Sequence, residues 1–248
     1  MEKAAQSADQ TCNQILEAFE RRYRQKKTTN ICLSSLIAIL GITSFLYGIQ
    51  LESISTIFRW MTVDGTIFAT LSAIAFIAIN IVEVRKNTEM TRKTVYYIRL
   101  SSAVAESVIL IVVLFSQLPF FTEHLPMFDR YDSFVMHILI PLLGIWSFLA
   151  NDSPIGKLSP VERWHGTWFV SFYAAIVLPM IAAEVIPTNM IPYFFLDFRH
   201  YAWATVVAFV FIYGCAYLMG WYLSEKNRKL SWLWFKGVAQ SGHEQEKG

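Results

Sequence analysis

Long apolar blocks separated by short polar stretches are the main pattern of this chain. Six blocks are long enough to cross a hydrocarbon core of about 30 Å. They run over residues 31–49, 61–82, 100–121, 134–150, 167–187 and 201–223. Each block is predicted to be a helix, because backbone polar groups inside lipid must be satisfied within the chain. The connections are short, so neighbouring helices are predicted to run antiparallel.

This pattern predicts an all-α, polytopic membrane protein, a bundle of six transmembrane helices over residues 30–224. Polar tails precede and follow the bundle, at residues 1–29 and 225–248. In the first tail, Phe19 and Tyr23 are spaced as on one helix face beside basic residues. That spacing fits an interfacial helix on an anionic membrane surface, and equally a solvated helix that leads into the first span. The first block is too long for a signal peptide and lacks a cleavage site, so we expect it to stay in the mature protein.

The charge distribution predicts an orientation for the bundle. Only 16% of the residues are charged and 54% are hydrophobic, whereas about a quarter of a soluble domain is charged. Lysines and arginines concentrate in the two tails and in the second and fourth connections. The other three connections hold only Arg59, Arg130 and Arg199. By the positive-inside rule both termini are predicted to be cytoplasmic, in a multi-pass protein of the cytoplasmic membrane.

Several kinds of chemistry have no residues to support them. Cys12, Cys32 and Cys215 lie in separate segments without a disulfide or metal spacing. No glycine-rich phosphate loop, zinc spacing or HExxH motif occurs, and no predicted span contains a lysine for a retinal Schiff base. We therefore expect no cofactor, no metal and no nucleic-acid partner, with membrane lipids as the partners. The sequence leaves the oligomeric state open.

Two ionisable residues lie well inside apolar blocks, His137 in the fourth and Glu106 in the third. Such residues face a bundle interior or a wet cavity. His137 is either a buried imidazole bonded to a neighbouring helix or a functional group. Glu106 is either a structural hydrogen-bond partner or part of a path from the inner side. Pro141 is predicted to bend or loosen the helix beside His137, because proline removes one hydrogen bond and clashes with the carbonyl four residues earlier.

Polar residues from three blocks are predicted to converge near the outer face. At about 1.5 Å per residue, Thr62, His137 and Glu184 fall at a similar depth, and Asp197 lies just before the sixth block. Their convergence predicts an outward-opening polar pocket. These residues also have simpler interpretations: Thr62 can bond its own helix backbone, and Glu184 can extend to the interface. Asp64, two residues after Thr62, can cap a helix as readily as it can assist Thr62.

Three short segments together resemble a known family. They are WMTVDGTIFATLSA in the second block, VMHILIPLLGIW in the fourth and IPYFFLD before the sixth. Their order and spacing resemble the androgen-induced-gene and FAR-17a-like integral membrane proteins and their bacterial Pr6Pr relatives. The resemblance extends over about residues 55–225, nearly the whole membrane part.

The resemblance implies six-helix-type proteins whose characterised animal members hydrolyse fatty acid esters of hydroxy fatty acids. Their nucleophile is a threonine, matched by Thr62 in RWMTVDG, and its base is a histidine, matched by His137 in MHILIP. Two positions depart from the family pattern. Ile191 replaces an aromatic residue, and Ser147 stands where the family often has an acid, about ten positions after the histidine. If that acid orients the imidazole, this chain lacks its support.

The sequence therefore favours an intramembrane threonine hydrolase of lipid esters. Threonine is a weak nucleophile that needs an adjacent base, and a neutral imidazole suits that task. Backbone N–H groups at the start of the second helix, or the hydroxyl of Tyr193, could stabilise the oxyanion. The alternative is a small transporter or channel, not an enzyme, with an outward-facing polar vestibule formed by Glu184, His137 and Asp197.

The predicted orientation can be tested by cysteine labelling. Single cysteines replace Glu123, in a connection poor in basic residues, and Asn87, in a basic one. In intact cells an impermeant thiol reagent should modify the cysteine at position 123 and leave that at position 87 unmodified. The opposite pattern would reverse the bundle and turn the polar pocket toward the cytoplasm.

Overall fold

The structure is a computed structural model that describes residues 2–51, 58–86, 93–117, 129–191 and 193–244. Within these residues six helices are long and apolar enough to cross a membrane, and no strand occurs. The predicted six-span, all-helical, multi-pass membrane protein is thereby confirmed. The predicted end of the third span at Phe121, the labelling positions Glu123 and Asn87, and Pro192 of the IPYFFLD segment lie outside the described residues.

Two helices are continuous, α1 (Glu2–Leu51) and α2 (Met61–Lys86). Helix α3 (Lys93–Val112) is continued by a π-helix at Val113–Gln117, and α6 (Phe198–Glu244) has a kink at Tyr201, where the backbone is not helical. Helix α4 comprises Tyr131–Phe134, a π-helix at Val135–Leu139, and Ile140–Asn151. Helix α5 comprises Pro160–Arg163, a 3-10 turn at Trp164–Thr167, and Trp168–Ala182. Short 3-10 helices at Thr188–Met190 and Phe194–Leu196 precede α6.

Local sequence explains why α5 begins before the predicted residue 167. Ser159 and Glu162 form a capping box: the Ser159 hydroxyl accepts a hydrogen bond from the Glu162 N–H, and the Glu162 carboxylate accepts one from the Ser159 N–H. Pro160 occupies the first helical position, where its missing N–H has no consequence. These polar residues start the helix about two turns before the apolar block.

The end of α5 corrects one prediction. The helix ends at Ala182, and Glu184, expected inside the span, lies in the turn that follows. Glu184 has a φ of 57°, the left-handed conformation that commonly ends helices. Pro187 follows shortly after, where it cannot continue the helix. An apolar run alone does not reveal this stop, because the residues of the turn are themselves largely apolar.

Helix α3 forms the centre of the bundle. Two thirds of its most apolar stretch is buried, a larger share than in any other described span. Leu100, Val104 and Val108 are fully buried, and they belong to a core cluster with Phe148 of α4 and Ile181 of α5. Helix α6 instead has mostly exposed apolar side chains, as expected of a surface in contact with lipid.

A network of buried charged and polar groups joins the helices at one end, called here the basal end and defined by Lys27, Glu83, Arg99 and Asp152. The Lys27 ammonium lies 2.6 Å from the Glu83 carboxylate, and their side chains are 2% and 0% exposed. This pair connects α1 to α2. Lys27, counted above as a tail charge, is therefore part of the bundle interior.

Arg99 makes the second buried connection, from α3 to α4. Its Nε donates to the Asp152 carboxylate at 3.1 Å, and its Nη2 donates to the Ser147 hydroxyl at 2.9 Å. Asn227 of α6 donates from Nδ2 to the carbonyls of Phe148 at 2.9 Å and Asp152 at 2.8 Å. Hydrogen bonds of this kind fix the relative positions of helices that apolar packing alone would allow to slide.

Breaking the Lys27–Glu83 pair should destabilise the fold. Lys27→Met leaves the Glu83 carboxylate buried without its counter-charge, and removing one partner of a buried pair costs about 3–5 kcal/mol. The double variant Lys27→Met/Glu83→Gln should recover most of that loss. Unfolding free energies in detergent measure both effects.

The exposed pair of Arg21 and Glu17, on the same helix, provides a matched control. Its side chains are 76% and 73% exposed, and pairs in such positions contribute at most about 1 kcal/mol. Arg21→Met should therefore change stability little. A Lys27→Met protein as stable as Arg21→Met would show that the buried pair does not secure α1.

Candidate functional site

A cavity lies at the opposite end of the bundle, called here the distal end and defined by Thr62, His137 and Tyr193. Its empty space, including the mouth, measures about 590 Å³. Helices α2, α3, α5 and α6 and the segment before α6 surround it. Its lining is almost entirely apolar: Met61, Val108, Ile109, Val112, Val113, Val170, Ala174, Phe195, Leu196, Phe209 and Ile212, with Thr62, Tyr173 and Tyr193 as the hydroxyl-bearing members.

Thr62 supplies a buried hydroxyl to this cavity. It lies in the first turn of α2 and is 7% exposed. The Tyr193 hydroxyl hydrogen-bonds to the Thr62 side chain and to the backbone of Met61. The Tyr193 ring also makes an edge contact with Trp60, at 5.9 Å between ring centroids. Two residues predicted for the site, Thr62 and Tyr193, are therefore in contact.

Tyrosine hydroxyls surround the start of α2. Tyr173 of α5 donates a hydrogen bond to the Arg59 carbonyl at 2.8 Å, just before the helix begins. Burial raises the pKa of Tyr193 to about 12, and the carboxyl of Asp64 acts in the same direction. Tyr193 is therefore a neutral hydrogen-bond donor at physiological pH. Tyr173 was not predicted from the sequence, because a tyrosine inside an apolar block carries no distinguishing signal.

His137 lies on the neighbouring helix α4, in its π-helical segment. Its Nδ1 is 2.8 Å from the Ser133 carbonyl and 3.2 Å from the Ser133 hydroxyl. Val63 and Met136, the residues next to Thr62 and His137, belong to one small buried cluster. The two helices therefore approach each other at this level. His137 is not among the described residues that line the Thr62 cavity.

The π-helical segment Val135–Leu139 contains His137 and ends two residues before Pro141. At its end the Ile140 N–H bonds to the Val135 carbonyl, five residues earlier. The predicted loosening of this helix beside His137 is therefore confirmed. Proline at position 141 cannot donate to the His137 carbonyl, and a widened turn relieves the clash of its ring with that carbonyl.

Asp64 faces a different cavity from Thr62. That second cavity lies between α2 and α5, measures about 1020 Å³ including its mouth, and is also lined by Arg59 and several phenylalanines. Tyr173 lines both cavities. Two residues of separation on a helix account for the different directions of Thr62 and Asp64.

Glu184 and Asp197 form a surface ion-pair group instead of meeting Thr62. Glu184 is 77% exposed, and Arg199 donates to it at 2.9 Å. Asp197 is buried, 2.7 Å from Nδ1 of His200 and 3.9 Å from Arg199. Among the residues that the structure describes, the ion pairs of these two carboxylates lie within the segment between α5 and α6 and the start of α6. They fix that segment, which also carries Tyr193.

Ser147 lies in the basal network, bonded to Arg99 and 3.4 Å from Asn30. Ten residues of helix separate it from His137, about 15 Å. Ser133, four residues before His137, contacts the imidazole instead. Ser133 and His137 are four residues apart, and residues i and i+4 meet on one helix face, so the sequence contained a signal for this contact.

Tyr193 should titrate as a buried phenol. A pH titration of tyrosinate absorbance, taken as wild type minus Tyr193→Phe, should show one group that ionises near pH 12 and not near the ordinary 10. The neutral form is the favoured one, so the group stays protonated through the mildly alkaline range. Ionisation near pH 10 would mean that the hydroxyl is in water and not against Thr62.

Comparisons with known proteins provide no relative for this chain. No family model matches it, and neither a curated protein nor a solved structure matches it. Among the described residues, no group of three or more histidine, cysteine, aspartate or glutamate side chains could hold a metal ion. A functional assignment therefore depends on the contacts at the distal end and on the three segments compared above.

Proposed function

We propose that the protein is an intramembrane hydrolase of lipid esters, with Thr62 as nucleophile and His137 as its base. One observation carries this proposal: the buried Thr62 hydroxyl, bonded to Tyr193, is at the polar end of a cavity that is otherwise apolar. A site of this kind suits a ligand with one polar group on a long hydrocarbon body. A lipid ester is such a ligand.

The lining of the cavity supports the substrate class. Branched aliphatic and phenylalanine side chains from α3, α5 and α6 would surround an acyl chain, and burial of each methylene contributes about 0.8 kcal/mol. The ester carbonyl would then lie against Thr62 and Tyr193. Fatty acid esters of hydroxy fatty acids, implied by the family resemblance, fit this description.

The tautomer of His137 supports its role as base. A carbonyl oxygen can only accept, so the contact of Nδ1 with the Ser133 carbonyl requires the proton to be on Nδ1. Nε2 then carries the lone pair that a general base needs. Ser133 thereby performs the orienting task that an acid at position 147 would perform in the resembling family.

The reaction proceeds in two balanced steps. The Thr62 oxygen attacks the ester carbonyl carbon while its proton passes to Nε2 of His137. The tetrahedral intermediate then expels the alcohol oxygen, which takes that proton, and leaves an acyl-threonine. In the second step the same nitrogen deprotonates water, which cleaves the acyl-threonine to a free fatty acid and restores the hydroxyl. The neutral Tyr193 hydroxyl donates a hydrogen bond to the developing oxyanion.

The membrane arrangement follows from charge. The asymmetry of basic residues supports a distal end at the outer face of a cytoplasmic membrane and both termini in the cytoplasm. The substrate would enter laterally from lipid, and water would enter from the outer face.

Thr62→Ala and His137→Ala test the proposal directly. Each should abolish labelling by a serine/threonine-hydrolase activity probe and hydrolysis of lipid esters by the purified protein. The double variant should be no less active than either single variant, because residues that act as one unit are not additive. Tyr193→Phe should retain labelling and lose about 10²–10³ in kcat, the cost of one oxyanion donor.

Control variants separate catalysis from folding. Thr70→Ala removes a threonine of the same helix whose hydroxyl donates to the Thr66 carbonyl of its own helix. His165→Ala removes a histidine that stacks on Tyr97 of α3 and Trp168 of α5. Both should retain activity. Full activity in Thr62→Ala would refute the nucleophile, and an unlabelled wild type that moves solutes across vesicles would favour the transporter alternative.

A further inference from the structure

Glu106 carries a carboxyl group in the middle of the most buried helix. Its residue is 0% exposed, and neither carboxyl oxygen has a hydrogen-bond partner among the residues that the structure describes. An ionised carboxylate in such surroundings costs several kcal/mol unless it is paired or hydrated. The carboxyl group must therefore be either protonated, and so neutral, or hydrated.

Among the residues that the structure describes, those near Glu106 provide no counter-charge. Gly144 of α4 faces it, and a Cβ on that glycine would lie 3.4 Å from the Glu106 Cγ. Arg99 is two helical turns away on the same helix face, about 10 Å toward the basal end. It is already bonded to Asp152. Lys27, the other buried cation on that side, is bonded to Glu83.

Other buried polar atoms without partners lie between the basal ion pairs and the level of Glu106. Three of them are Nδ2 of Asn30, Oγ of Ser34 and Oδ1 of Asn80. Asn30 is level with Ser147, whose hydroxyl contacts it, and Ser34 is one turn nearer the distal end. Gly144, which faces Glu106, is likewise about one turn nearer the distal end than Ser147 on α4. Ser34 and Glu106 therefore lie at similar depth.

We propose that Glu106 is a proton-binding site inside the membrane, reached from the basal end by water that hydrates Asn30, Ser34 and Asn80. Buried polar groups without protein partners are usually satisfied by ordered water. Water along these groups provides a chain of hydrogen bonds on which a proton can reach the carboxyl. The arrangement explains why α1, α2 and α3 all carry unpaired polar groups on buried positions.

A proton fits this site better than a metal cation. Alkaline-earth cations take six or more oxygen ligands, whereas Glu106 is the single carboxylate at its level in the described contacts. One oxygen is enough for a proton. The site is separate from the distal cavity, whose described lining does not include Glu106, and it does not depend on the hydrolysis proposed above.

The experiment uses the full-length protein in lipid vesicles and dicyclohexylcarbodiimide, an apolar reagent that modifies protonated carboxyls within membranes. Mass spectrometry of the peptides should find the adduct on Glu106 and not on Glu83, which is paired with Lys27. Glu106→Gln should remove the adduct. Infrared spectra of the wild type should contain a protonated carboxyl band that shifts in D₂O and is missing from Glu106→Gln.

A further pair of variants tests the hydrated path. Ser34→Ala should slow the D₂O shift of the Glu106 band several-fold, because it removes one polar group from the path. Ser107→Ala is the matched control: Ser107 is next to Glu106 but its hydroxyl donates to the Ala103 carbonyl, so the rate should not change. Absence of both the adduct and the band would overturn the proton site, and an unchanged rate in Ser34→Ala would overturn the path.

Discussion

A charge buried inside a bundle must be paired with a counter-charge, neutralised by a proton or hydrated, and the basal half of this protein is built around that requirement. Arg99 of the central helix meets Asp152 and Ser147 on α4, while Lys27 of α1 meets Glu83 on α2. Asn227 joins α6 to the backbone carbonyls of Phe148 and Asp152, and the Ser147 hydroxyl lies 3.4 Å from Asn30 of α1. These polar contacts join five helices, and apolar packing alone could not hold them in one register.

The two ends of the bundle use polar groups differently. At the basal end the buried charges of Lys27 and Arg99 are paired with those of Glu83 and Asp152. At the distal end a few hydroxyls, those of Thr62, Tyr173 and Tyr193, lie beside an apolar cavity, and the charged residues Glu184 and Arg199 pair at the surface. The basal end thus holds paired charges, and the distal end holds hydroxyl groups beside apolar space.

The level of Thr62 and His137 along the bundle could be predicted from the sequence, because helical rise gives the depth of each residue. Helical rise placed Thr62 and His137 at one level, and the contact of their neighbours Val63 and Met136 agrees with that level. Which way each side chain points could not be predicted from rise alone. Thr62 faces a cavity with Tyr193, Asp64 faces another, and His137 turns toward Ser133. These directions depend on helix rotation, which is set by packing between helices.

The apolar blocks by themselves determined six spans and an all-helical fold, because lipid leaves the backbone no other way to satisfy its hydrogen bonds. Pro141 likewise determined a local departure from the α-helix beside His137. Only the tertiary structure decided that Lys27 and Arg99, which resemble ordinary membrane-edge cations, are buried partners of Glu83 and Asp152. It also decided that Ser147 belongs to that network and that Glu106 lacks a partner within the described residues. The two ion pairs join residues more than fifty positions apart, and no local pattern records which helices become neighbours.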